Sequence, residues 1–170
     1  MVMIDLSAAF DTVNHSILLQ RLSERYGITG DAHLWLQSYL SERKQFITIK
    51  GERSQVVSKT CDVPQGSVLG PTLYEDYTSV PVGEICRKHQ VLYHIYADDK
   101  QIYLPFLPEN MESALARLEE CVMDIRKWMA TNWLQFNDSK TEFFPSLPNA
   151  TIKIGECSIS ADTESWSMFG

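Results

Sequence analysis

Residues 91–106 read VLYHIYADDKQIYLPF, and this run constrains the fold more than any other. Apolar and aromatic side chains alternate on both sides of two adjacent aspartates. Alternation at period two marks a strand, so the run reads as strand, tight turn, strand. Leu92, His94 and Tyr96 then share one face, and Tyr93, Ile95 and Ala97 the other. A hairpin here commits the chain to antiparallel pairing. Asp98 and Asp99 at its tip admit two readings. Aspartate favours turns because its carboxylate bonds nearby backbone N–H groups. Two like charges side by side also suit a divalent cation, which offsets their repulsion.

Around this hairpin the order of elements is β-α-α-β-β, loop-α, β-β, α, β, β-β. VMIDL is strand-like. HSILLQRLSERYG follows with Ile17, Leu18, Leu22 and Tyr26 at helical spacing and Gly27 as C-cap. DAHLWLQSYLSER predicts a second helix, with Asp31 as N-cap and Leu34, Trp35 and Leu40 buried. KQFITIKGERSQVVSKT alternates on both sides of GER and predicts a hairpin. DVPQGSVLGPTLY predicts a Pro/Gly loop leading into a short helix, which takes in Glu75 and Asp76. The longest helical pattern runs from Glu109 to Met129, with Met111, Leu115, Leu118, Val122, Ile125 and Met129 on its inner side. A strand at Glu142–Phe144 and a hairpin turning at Gly155-Glu156 complete the chain. Such mixing predicts an α+β domain, helices packed on one face of a mainly antiparallel sheet.

The 170 residues suffice for one domain with its own core, and no internal boundary is visible. No run approaches the ~20 apolar residues of a membrane span. The first residues lack the basic start of a secretory signal. Four widely spaced cysteines suit neither a disulfide framework nor a structural zinc, which fits an intracellular protein, nucleus or cytoplasm unresolved. Net charge is −7, against the basic excess of a protein that grips many phosphates; weak nucleic-acid binding by this chain alone is expected.

Two further stretches bear on the aspartates. In IDLSAAFD, Asp5 closes an apolar strand, where its carboxylate needs either a cation, a helix N-cap role or water. Asp11 reads as a capping residue. In VPQGSVLGP, Gly66 and Gly70 relax the backbone, and Gln65 offers both a donor and an acceptor. A two-metal phosphoryl-transfer centre needs carboxylates from separate strands converging on two Mg²⁺ ions about 4 Å apart.

MIDLSAAFDTVNHSILLQRL, VPQGSVLGP, YADD and NDSKTE, in this order, resemble the palm of a reverse transcriptase of the non-LTR (LINE-type) retrotransposons. The resemblance spans Val2 to about Ser160, so residues 1–160 read as a partial palm domain, with fingers and thumb absent or incomplete, and 161–170 as a divergent tail. It implies an RNA-directed DNA polymerase using an RNA template, a DNA primer and deoxynucleotides, with two Mg²⁺ ions or Mn²⁺ as a substitute. It implies that Asp5, Asp98 and Asp99 bind metal, with Asp5 and Asp98 as the principal ligands and the Leu6 carbonyl beside them. Phe10 would exclude a ribose 2′-hydroxyl. Gln65 and Gly66 would border nucleotide and template, and Tyr96 and Ala97 the primer end. Lys140 would protonate the leaving pyrophosphate, while Lys100 is placed to pair with Asp99. Two alternatives stand beside this reading: a catalytically inactive retrotransposon-derived remnant or protein-interaction module, and, more distantly, a palm-like nucleotidyl cyclase.

Overall fold

A computed structural model of the chain describes residues 1–64, 66–144, 151–154 and 157–160. Its elements are β1 (Val2–Ile4), β2 (Leu6–Ser7), α1 (His15–Tyr26), α2 (Gly30–Leu40), β3 (Lys44–Gln45), β4 (Thr48–Ile49), β5 (Glu52–Arg53), β6 (Val57–Ser58), α3 (Gly70–Lys88), β7 (Leu92–Tyr96), β8 (Asp99–Tyr103), α4 (Met111–Thr131), β9 (Gln135–Phe136), β10 (Glu142–Phe143), β11 (Thr151–Ile154) and β12 (Cys157–Ser160). The architecture is mixed helix and antiparallel sheet, as the element order predicts. The backbone nevertheless groups into two compact units, a division that composition does not announce. One is Ala8–Tyr77; the other joins Met1–Ser7 to the chain from Thr78 onward.

In the second unit a four-stranded antiparallel sheet runs β10-β1-β8-β7. Its register pairs Ile4 with Lys100, Val2 with Ile102, Tyr93 with Ile102, Ile95 with Lys100 and Val2 with Phe143. Cross-strand partners share a face, so these residues form one face. Val2, Ile4, Lys100, Ile102 and Phe143 on it are buried. On the other face Leu92, His94, Tyr96, Asp99, Tyr103 and Glu142 are exposed. The later part of α3 packs on the buried face. At Gly83 a Cβ would lie 2.7 Å from the Tyr93 hydroxyl, and Arg87 donates to that hydroxyl at 2.7 Å. The α4 helix buries Ala114, Leu118, Cys121, Val122, Ile125 and Met129. Its Cys121 meets Cys86 of α3 through a thiol hydrogen bond, and its Asp124 pairs with Lys88 and His89.

In the first unit, Asn14 caps α1 by accepting from the Ile17 N–H at 3.1 Å, and Gly27 at φ 68° ends it. The second helix starts two residues earlier than its sequence suggests. Thr29 precedes it and Asp31 lies in its first turn. It buries Leu36 and Leu40, leaving Leu34 and Trp35 exposed, because Trp35 stacks on Tyr39 along the outside. The predicted hairpin forms as two nested ladders, β3 with β6 and β4 with β5, turning at Lys50 and Gly51, both at positive φ.

The helix after the Pro/Gly loop is not short: α3 runs 19 residues and passes through Pro81. Proline has no N–H, so the Tyr77 carbonyl four residues back loses its helical donor. The Arg21 guanidinium supplies one, and lies over the Tyr77 ring at 4.6 Å. Asp76 finds the partner that its burial demands in the Tyr26 hydroxyl. Burial holds its carboxyl above the ordinary carboxylate range, and the tyrosine's bond draws it part of the way back. The strand at Glu142 ends at Phe143, and the last hairpin pairs Ile154 with Cys157. Its predicted turn, Gly155-Glu156, lies outside the described residues, as do Gln65 and the tail from 161.

Candidate functional site

The β7–β8 ladder closes on the pair Tyr96–Asp99, which leaves Ala97 and Asp98 as a two-residue turn. Ala97 sits at φ 52°, the left-handed region that costs an alanine of order 1 kcal/mol. Lys100 holds the turn from beneath. It is 1% exposed, lies between Ile4 and Ile95 on the buried face, and donates to the Ala97 and Asp98 carbonyls at 3.3 Å each. Burial depresses its pKa from 10.5 to about 8, against the opposing pull of Asp98 and Asp99.

Asp5 follows the last β1 residue. Ile4 pairs with Lys100, and the same register carried one residue further sets Asp5 opposite Asp99. Both line one cavity of about 300 Å³, together with Met3, Ile4, Lys100, Ser139, Lys140 and Glu142. Asp98, at the turn itself, is not in that lining. Leu6 is buried and pairs with Phe136.

The NDSKT segment builds the far wall through a 3₁₀ turn, Asp138–Lys140. Asn137 donates its backbone N–H to the Asp5 carbonyl at 3.0 Å and its side-chain Nδ2 to Asp5 Oδ2 at 2.8 Å. Ser139 donates its hydroxyl to Asn137 Oδ1 at 2.8 Å, and Thr141 donates to the Asn137 carbonyl at 2.8 Å. Arg126 of α4 grips both carboxylate oxygens of Asp138, at 2.5 and 2.7 Å. These partners were not singled out from sequence; only the capping habit of Asn, Asp and Ser hinted at them.

Phe10 lies in the other unit, against Val63 and Tyr74. The Val63 N–H donates to the Phe10 carbonyl at 3.0 Å, and the Phe10 ring stacks on Tyr74 at 4.6 Å. Gly66 takes φ 76°. Ser67 donates to the Pro64 carbonyl at 2.7 Å and accepts from the Gly70 N–H at 2.9 Å, capping α3. A Cβ on Gly70 would sit 2.5 Å from that carbonyl oxygen, so the loop closes only with glycine there. The loop begins at Asp62, buried at a φ of 116°. Lys59 at 2.5 Å and Arg43 at 3.5 Å pair with its carboxylate, and His15 meets its carbonyl at 2.7 Å.

Among the described residues no group of three or more His, Cys, Asp or Glu forms a metal cage. Asp5 and Asp99, two of the three carboxylates on the cavity beside Glu142, suit Mg²⁺ nonetheless, since that ion takes oxygen ligands and is usually held by one or two carboxylates plus substrate phosphates.

Residues 1–159 match the model of the family described as reverse transcriptase (RNA-dependent DNA polymerase). The chain is 33% identical over 135 residues to the RNA-directed DNA polymerase from mobile element jockey of Drosophila melanogaster, covering 76% of this chain and 14% of that protein. It is 30% identical over 149 residues to the probable RNA-directed DNA polymerase from transposon BS of the same fly, covering 82% and 16%. The jockey protein of Drosophila funebris is 35% identical over 100 residues, 56% of this chain and 11% of that one. The chain therefore spans less than a fifth of the length of these relatives.

Proposed function

We propose, from the premise that this chain belongs to the reverse transcriptase (RNA-dependent DNA polymerase) family of non-LTR retrotransposons, that it is the palm portion of such an enzyme and carries its nucleotidyl-transfer centre. One observation carries the reading: Asp5 and Asp99, 94 positions apart in sequence, line a single cavity with Lys140. The substrates would be an RNA template, a DNA primer and deoxynucleoside triphosphates.

Asp5 and Asp99 would hold Mg²⁺, or Mn²⁺ in its place, with Asp98 and the Leu6 carbonyl as further oxygen donors. When bound, two such ions would lower the pKa of the primer 3′-hydroxyl and offset the charge on the departing pyrophosphate. The chain's own residues do the rest. Lys140 would give a proton to that pyrophosphate. Tyr96 and Ala97 would border the primer end. Phe10, backed by Tyr74, would reject a 2′-hydroxyl, and Gln65 and Gly66 would border the incoming base pair. Asp99 faces the cavity while Asp98 occupies the turn, which favours Asp99 as the partner of Asp5.

Primer extension on an RNA template with Mg²⁺ and deoxynucleotides tests this. Asp5→Ala and Asp99→Ala should each lower incorporation at least about a thousandfold, the worth of several kcal/mol of charge stabilisation. Incorporation by the native chain no higher than that by Asp5→Ala and Asp99→Ala would sink the enzyme reading. A second reading, a non-catalytic interaction module, is favoured by the exposed apolar side chains Ile47, Ile49, Val56 and Val57 on the hairpin; it predicts no incorporation by any form.

A further inference from the structure

Asp5 has two carboxylate oxygens, and one of them is already engaged. Asn137 Nδ2 donates to Oδ2 at 2.8 Å, while the neighbouring backbone N–H donates to the Asp5 carbonyl at 3.0 Å. The β2–β9 register explains the meeting. Leu6 pairs with Phe136, so Asp5 and Asn137 are the next opposed pair. Chemistry fixes the orientation of the amide. An ionised carboxylate only accepts, so the amide nitrogen must face Asp5 and the amide oxygen must face away. The Ser139 hydroxyl meets that oxygen at 2.8 Å and is a donor there. The amide cannot turn over without breaking both bonds. The backbone around it is pinned as well, by Thr141 on the Asn137 carbonyl and by the two-bond grip of Arg126 on Asp138.

We propose that Asn137 is a positioning residue that occupies Asp5 Oδ2 and presents Oδ1 to the cavity, so that Asp5 ligates a divalent cation through one oxygen. Ser139 acts one step further out, setting the amide that sets the carboxylate. This rests on the metal-site reading above and deepens it. Partners of this kind fix a ligand's orientation, and their loss typically costs 10–100-fold in metal affinity.

Mn²⁺ titration of the purified chain, followed by the electron paramagnetic resonance of the free ion, reads this without any catalysis. Asn137→Ala should weaken Mn²⁺ binding about tenfold or more. Ser139→Ala should weaken it less, and Ser139→Thr, which restores the hydroxyl, should recover the native affinity. Asn137→Ala should add nothing to Asp5→Ala. Thermal melts of each variant separate lost folding from lost positioning, and the serine pair keeps the test alive if Asn137→Ala unfolds. Binding lost in Asp5→Ala but unchanged in Asn137→Ala and Ser139→Ala would overturn the positioning role and leave the metal site standing. Binding absent from the native chain, or indifferent to Asp5→Ala, would overturn the metal site, and the inference with it.

Discussion

Lys100 follows the acidic pair in sequence but lies on the opposite face of the sheet, its amine turned back to the Ala97 and Asp98 carbonyls. Its depressed pKa makes stability depend on pH. Below about 8 the amine is charged in folded and unfolded chains alike, and the full penalty of burial is present. Between about 8 and 10.5 the unfolded chain holds a proton that the folded chain has released, so stability rises with pH. That interval bounds the rise at about 3 kcal/mol. Urea denaturation in EDTA from pH 7 to 10.5 should show it, and Lys100→Met should abolish it; an equal rise in the variant would remove Lys100 as its source. The acids of the candidate site were legible in sequence because they sit in short contiguous motifs. Asn137 and Asp62 were not. Each matters through partners brought by folding: Asp5, 132 residues away from Asn137, and His15, 47 residues away from Asp62. The motif and the loop that contain them, and the capping habit of Asn and Asp, mark the stretches but not these distant partners.

At the scale of elements, the hairpin around YADD and the long α4 helix were both readable, because period-two and period-3.6 patterns each ran long enough to dominate. The extent of α3 was not, since Pro81 reads as a helix stop while the structure carries the helix through it. What permits this lies outside the helix, in the Arg21 bond to the Tyr77 carbonyl. A double-mutant cycle follows. Arg21→Met should cost about 1.5–3 kcal/mol, the range for a hydrogen bond from a charged group. In a Pro81→Ala background, where the Tyr77 carbonyl regains its helical donor, the same change should cost at least about 1 kcal/mol less. Equal costs in both backgrounds would show that the arginine does not compensate the proline. The exposure of Leu34 and Trp35 was likewise hidden, because α2 has large apolar residues on more than one side and only packing selects Leu36 and Leu40.

Across the whole molecule, the residues proposed to hold metal fall in one compact unit, and Phe10 with the Gly66 loop in the other. No helix among the described residues is long and apolar enough to cross a membrane. Residues 44–58 are exposed throughout, and Ile49 and Val57 there are 67% and 63% accessible. Apolar surface of this kind invites association. Size exclusion at rising concentration should show self-association, and Ile49→Thr with Val57→Thr should reduce it while changing unfolding free energy by no more than about 0.5 kcal/mol each. A monodisperse monomer at all concentrations would count against the hairpin as the contact. The alternation along β1 and β8 has a genetic consequence as well. Val2, Ile4, Lys100 and Ile102 fill the buried face, Ile4 and Lys100 also reaching the cavity wall, while Asp99 and the neighbouring Asp5 are the cavity acids proposed to hold metal. Folding and the proposed chemistry are thus encoded in interleaved codons. A lineage released from selection for polymerisation alone would erode the odd positions and spare the even ones, so two lineages of descendants could carry the same sheet, one with its acids and one without.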